Sequence, residues 1–365
     1  MRKRVESLDR NTDRIIGIDI LRIVAMAMIV ILHCFNVGGI LSGVNKESFN
    51  YYFYYFIFIC VFCGVNLYAL TTGYLCVCSR HKFSRIINLW IEVIFWSIII
   101  ATIFFVLPQY HVSLWDYIFS FFPLLSNRYW YFTAYFLLFV FMPLINAGIK
   151  NITKTQYKTL LIALFIICSI FQCIGSVIGY FSLDVYFENS GLSFVWIFIM
   201  YLFGAYIRIY GIKIKRNICI LLYFVFSLCT LITIVMKNLL SSKFAFVGNL
   251  NILSYSFPFI VLASFSLFLF FTQINPKRCN KGIILLSSLT FSVYIIANHP
   301  LSALIQKDLF AETANNVGIT LIYVLIYSII SYAGAMVLGF VQKKVFMAFK
   351  VNSTIDRIIE RIHNK

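Results

Sequence analysis

The chain has 365 residues, 61% of them hydrophobic and only 12% charged, whereas soluble domains carry about 25% charged residues. That balance excludes a soluble globular domain, and repeated apolar stretches of about 20 residues mark an all-α polytopic integral membrane protein. The net charge of +17 would suggest a nucleic-acid partner in a soluble chain, but here the basic residues fall between apolar runs and report topology instead.

The apolar pattern predicts about ten transmembrane helices, near 15–37, 51–75, 86–107, 129–147, 158–180, 193–210, 217–236, 250–271, 283–305 and 317–342. With the N terminus in the cytoplasm, the outside loops carry only Lys46, Arg128, Lys237, Lys243 and Lys307, and Arg22 lies within a run. All other Lys and Arg then face the cytoplasm, as the positive-inside rule requires, and both termini are expected there. The expected organisation is a basic cytoplasmic segment over 1–14, one membrane domain over 15–345 and a basic cytoplasmic tail over 346–365. In that tail Ile355, Ile358, Ile359 and Ile362 alternate with Arg357 and Arg361, a pattern for a surface helix drawn to an anionic leaflet. No internal repeat or low-complexity linker is evident. The first apolar run is too long for a signal-peptide h-region, so no cleavable leader is expected. Cys60 and Cys63 have C-x-x-C spacing, but they fall inside a predicted span with no second pair nearby, so packing is expected there rather than a metal.

In the first run, Asp19, Arg22 and His33 interrupt an otherwise apolar stretch. The eleven steps from Arg22 to His33 come to roughly 1100°, so the two share a helix face about 16 Å apart along the axis. Asp19, three residues before Arg22, is close enough to touch it. A charge in hydrocarbon costs at least about 2.5–3.5 kcal/mol, which argues for a partner or a wet cavity. His33 is the candidate catalytic base. Arg22 is a candidate for binding phosphate or carboxylate, oriented by Asp19; the alternative is an Asp19–Arg22 pair that only locks helix packing.

The second run ends in Thr71-Thr72-Gly73-Tyr74, followed by Arg80, Lys82 and Arg85 at the cytoplasmic boundary, which suit either topology or donor phosphates. Glu92 lies inside the third run, where a carboxylate is functional or paired. The connection from Pro108 to Arg128, with His111, Asp116, Tyr110, Trp115, Tyr117 and Phe119, reads as an interfacial aromatic belt, with an acceptor-binding loop as the alternative. Trp130, Tyr131 and Tyr135 open the fourth run. The loop from Phe181 to Leu192 carries Asp184 and Glu188, which are cheap outside the membrane and say little. In the ninth run Tyr294, Asn298 and His299 precede Pro300, whose missing N–H marks a break beside a cavity. Glu92, Trp130, Tyr135, Tyr294, Asn298 and His299 are the cavity or acceptor candidates.

Together these blocks resemble the acyltransferase 3 family of integral membrane acyltransferases, which modify bacterial surface glycans and some other acceptors. The carriers are Ile18 to Ala25 with His33, Thr72-Gly73-Tyr74-Leu75 with Arg85, Tyr129 to Tyr135 running to Pro143-Leu144-Ile145-Asn146, Tyr201 to Tyr206, and Thr290 to Tyr294. Two departures stand out. Ala297 occupies a position where family members often have His, with His299 about 200° further round a continuous helix, and Arg85 stands where many members have adjacent arginines.

The resemblance implies a multi-pass protein of the bacterial plasma membrane, with acetyl-CoA or another acyl-CoA as donor substrate and no bound cofactor. The acceptor is then a hydroxyl of a surface or exported polysaccharide, growing or lipid-linked. Arg22, Arg80, Lys82 and Arg85 would hold donor phosphates, and His33, with Arg22 and Asp19, would serve catalysis, either directly or through an acyl-His relay. A rival reading is a transporter or flippase for a lipid-linked glycan, which matching inverted halves would favour. A polymerase is expected to carry a larger basic external loop.

Overall fold

A computed structural model describes residues 14–178, 189–274 and 280–363. The loop residues Asp184 and Glu188, the basic Lys277 and Arg278, and most of the N-terminal basic segment lie outside the described residues. Among the described residues the chain forms helices and no strand. Helix α1 (Ile16–Asn36) is followed by α2 (Phe49–Phe62), α3 (Gly64–Cys76), α4 (Ser84–Val106) and α5 (Trp130–Asn151). Next comes α6 (Lys154–Phe165), which continues through a π-helical stretch (Ile166–Phe171) into α7 (Gln172–Ile178). The remainder comprises α8 (Phe194–Tyr210), α9 (Arg216–Leu240), α10 (Pro258–Thr272), α11 (Lys281–Ala297), α12 (Val317–Ala348) and α13 (Val351–His363).

Seven of these runs are long and apolar enough to cross a membrane, with α2 and α3 acting as one, and α8, α10 and α11 are shorter apolar helices. The expected spans therefore all have counterparts, with four adjustments that have local causes. The second span is jointed at Cys63, where the chain runs so close to α1 that a Cβ on Gly64 would meet the Ala25 carbonyl and Ile29. The eighth begins only at Pro258, whose fixed φ suits the first helical turn. The fifth begins early, at Lys154, because Thr153 and Gln156 form a reciprocal capping box. The ninth ends at Ala297 and resumes as a short helix, Ser302–Gln306, on the far side of Pro300.

Helix α1 is the hub, packed against α2, α3, α10, α11 and α12. This explains how it can carry Asp19 and Arg22 at membrane depth: protein rather than lipid surrounds it. The outer helices show the opposite pattern. On α12, Ile322, Leu325, Ile326, Ile329 and Ile330 are exposed, as are Leu221, Leu228 and Ile232 on α9, a face suited to acyl chains.

Helices α3 and α8 cross at close range. A Cβ placed on Gly73 would run into the carbonyl of Tyr201, and one on Gly204 into the carbonyl of Leu70. Without a hydrophobic force between helices in lipid, such small residues let backbones approach and gain dispersion contacts. Thr72-Gly73-Tyr74 thus owes its glycine to packing. Gly204→Val is expected to cost more than the roughly 1–3 kcal/mol of ordinary overpacking, because backbone must move. The yield of monodisperse protein in detergent and its melting temperature should both fall. Gly148→Ala, with nothing within 4 Å of the added methyl, should leave both unchanged. Equal behaviour of the two variants would contradict this packing account.

Candidate active site

Helices α1, α3, α5 and α11 line most of a cavity of about 610 Å³, within the roughly 300–1,000 Å³ range of small-molecule sites. Arg22, Thr72, Cys76 and Tyr135 line one end, and His33, Arg128, Tyr129 and Asn298 line the other. That order follows from chain direction, since α1 enters near Arg22 and leaves near His33. The helical-face argument placed Arg22 and His33 together on one side of α1, and both line this cavity. The walls between are largely aromatic: Tyr131 lies edge-on to Tyr68 and Tyr294, and Trp130 stacks on Tyr255 with centroids 6.2 Å apart. No Asp or Glu is among the described lining residues, so the cavity is basic at both ends.

Arg22 is held by tertiary contacts more than by its own helix. Its Nη1 donates to Ser287 Oγ of α11 at 3.1 Å, and Ser287 Oγ donates in turn to Asp19 Oδ1 at 2.8 Å. The Arg22 carbonyl accepts from Tyr68 Oη at 2.7 Å. Asp19 makes its ion pair with Arg14, through bonds of 2.6 and 2.9 Å, and reaches Arg22 only through the Ser287 hydroxyl. The local spacing had pointed to a direct Asp19–Arg22 contact; a buried hydroxyl from α11 intervenes. Asp19 is therefore about 21 Å along the axis from His33 and does not orient the imidazole.

His33 faces the cavity, and its side chain has no hydrogen-bond partner among the described residues. An imidazole in that setting keeps a ring nitrogen available for a bound hydroxyl. Arg80, Lys82 and Arg85 are exposed in the α3–α4 connection and the start of α4. Arg85 lies near enough for its charge to act on Cys76 and Tyr135 at the Arg22 end of the cavity.

The remaining candidates divide. Trp130, Tyr135, Tyr294 and Asn298 line the cavity. Glu92 does not: its Oε1 accepts from Ser292 of α11 at 2.6 Å, and Lys343 of α12 lies close by, itself donating to Ser288. Glu92 is thus paired within the helix bundle, beside the cavity and not in it. His299 is buried just behind the wall at the His33 end, past the end of α11, with its ring beside Arg128 and edge-on to Tyr129. Because α11 ends at Ala297, the 200° offset of a continuous helix does not govern where His299 points.

Sequence reasoning did not single out Ser287, Tyr68 or Tyr255, and it named Thr71 and Tyr129 only as members of longer blocks. A serine or tyrosine in a span carries no distinguishing signal until its neighbours are known. Arg128 carried one, as the single arginine among the outside basic residues. Asn146, noted only as the end of a block, accepts from Tyr201 Oη and donates to the Cys76 carbonyl, tying α5 to α8 and to the end of α3.

A bundle of membrane-length helices around a largely aromatic cavity, with a guanidinium at one end and an imidazole at the other, defines an integral membrane protein with an enzyme-like interior. The acyltransferase 3 family, described as an acyltransferase domain, matches residues 15–340. The chain belongs to that family and is a multi-pass membrane acyltransferase. No curated protein and no solved structure matches it.

Proposed function

We propose that the protein transfers an acetyl group from acetyl-CoA, presented at the cytoplasmic face, to a hydroxyl of a surface or exported polysaccharide in the bacterial plasma membrane. The observation that carries this reading is the single cavity joining Arg22 at the inner end to His33 at the outer end. The exposed Arg80, Lys82 and Arg85 suit the nucleotide phosphates, and Arg22 suits an anionic group further along the donor. A CoA arm, narrow and extended, then carries the thioester towards His33.

In the step itself, the His33 imidazole takes the proton as the acceptor oxygen attacks the thioester carbonyl carbon. The tetrahedral intermediate collapses with cleavage of the C–S bond, and the departing CoA thiolate recovers the proton from His33. The products are an O-acetyl ester and CoA. Nothing else is consumed, and no resident cofactor is required by the balance.

The test uses purified protein in lipid, supplied with acetyl-CoA and glycans extracted from the host envelope. CoA release that depends on glycan, with the acetyl group recovered as a base-labile ester on saccharide, is expected. Absence of glycan-dependent release, with acetyl-CoA bound or not, would overturn the saccharide assignment.

A further inference from the structure

At the His33 end of the cavity, and in the wall just behind it, several polar groups keep hydrogen-bonding capacity that no described residue meets. The Leu301 backbone N–H donates to His299 Nδ1 at 3.0 Å. A neutral imidazole carries one proton, so with Nδ1 accepting, that proton is on Nε2. Nε2 lies 3.4 Å from Arg128 Nη1, itself a donor only. Two donors thus face one another, and no hydrogen bond links them. The Arg128 Nη2 donates to the Asp116 carbonyl at 2.6 Å, which fixes the guanidinium while leaving its other N–H groups available. No described carboxylate forms an ion pair with it. Beside it, the buried hydroxyl of Tyr129 and both amide atoms of Asn298 also lack partners among the described residues.

Buried polar groups are nearly always satisfied, and several unsatisfied ones together call for an explanation. A guanidinium, an imidazole N–H and a phenol at or just behind one cavity end share a single remedy: an oxygen-rich anion. Asn298, offering one acceptor and one donor side, adds a fit for a sugar hydroxyl. Trp130, stacked on Tyr255 in the adjoining wall, offers an apolar ring surface for a pyranose face.

We propose that Arg128, His299, Tyr129 and Asn298 form an acceptor subsite for an acidic saccharide, binding a carboxylate or phosphate of the glycan and presenting its neighbouring hydroxyl to His33. The assignment rests on the acyltransferase reading above, which places the donor at the Arg22 end and leaves this end to the acceptor. Arg128 acts here in binding, and His299 acts as a donor, not as the base.

The experiment measures binding and turnover separately. Protein in lipid nanodiscs is titrated with fluorescently tagged acidic glycans, taken from the host envelope by anion exchange. The same glycans are then tested after carboxyl reduction and, independently, after dephosphorylation. The untreated glycans should bind about ten- to a hundredfold more tightly than one of the two neutralised pools, as expected for charge-assisted hydrogen bonds. The treatment that removes binding identifies the anion. Arg128→Gln should abolish the preference, Arg128→Lys should retain part of it, and Asn298→Ala should weaken both charged and neutral glycans. Equal binding of charged and neutralised glycans by the unaltered protein would overturn the proposal with no variant required. Absence of glycan binding, or an Arg128→Gln loss confined to kcat with binding unchanged, would do the same. Acetyl-CoA binding and CoA release are followed in parallel. Their failure strikes the acyltransferase chemistry, while the glycan titration still decides the subsite.

Discussion

His33→Ala is expected to lower glycan acetylation by about 10²- to 10⁴-fold, the usual cost of losing a general base, while the protein still inserts and folds. The two halves of that expectation have separate causes. The His33 side chain makes no hydrogen bond to a described residue, so its removal leaves no buried group stranded, and insertion depends on the bulk apolar character of α1. The rate falls because nothing else at the outer end of the cavity accepts a proton: Arg128 is donor-only, and the free nitrogen of His299 is occupied by the Leu301 N–H. His299→Ala is the comparison. It should raise the acceptor KM more than it lowers kcat, because its ring supplies a donor beside Arg128. If His299→Ala matches His33→Ala in kcat, the base lies behind the α11 break. If neither substitution alters acetylation in cells, His33 has no catalytic role. Retention time on size exclusion and melting temperature, compared with the unaltered protein, separate loss of chemistry from loss of fold.

The fold was legible wherever a property depended on short-range spacing. Ten apolar runs have ten helical counterparts, since lipid leaves few other ways to satisfy a backbone. Arg22 and His33 line the same cavity because eleven residues nearly complete three turns, which packing does not change. Pro300 marked the α11 break for a similar reason, its missing N–H being a local fact. Legibility ended at contacts between elements. Asp19 lies within reach of two arginines, and sequence spacing alone gave no ground to prefer Arg14 over Arg22. The choice was made by Ser287, 268 residues away. Glu92 was recognised as a carboxylate in need of a partner, but whether that partner was a ligand, a cation or a hydroxyl depended on which face of α4 meets α11. Arg128 looked like one basic residue in an external loop. Only the fold of 108–128, with the guanidinium tied to the Asp116 carbonyl, turns it towards the cavity.

Arg22→Lys should raise the KM for acetyl-CoA by roughly ten- to a hundredfold while preserving the charge. A guanidinium has five donors in a fixed fork, and here one arm is committed to Ser287 Oγ, leaving the rest to meet an anion in the cavity. A lysine ammonium is a single donor centre on a flexible stem. It cannot hold the serine and grip a phosphate in two-pronged fashion at once. Charge-assisted hydrogen bonds contribute about 1.5–3 kcal/mol, which sets the size of the effect. Ser287→Ala tests the positioning chain separately. It leaves Arg22 and the Arg14–Asp19 pair in place but removes the hydroxyl between them, so Arg22 loses its anchor and keeps its charge. A neutral hydrogen bond is worth about 0.5–1.5 kcal/mol net, so the donor KM should rise only about two- to tenfold, with kcat and glycan binding little altered. A purely structural role for the Asp19–Ser287–Arg22 chain would instead lower the melting temperature and leave the donor KM of the surviving protein unchanged. An increase in acceptor KM, in place of donor KM, would put Arg22 on the glycan and reverse the proposed direction of the cavity.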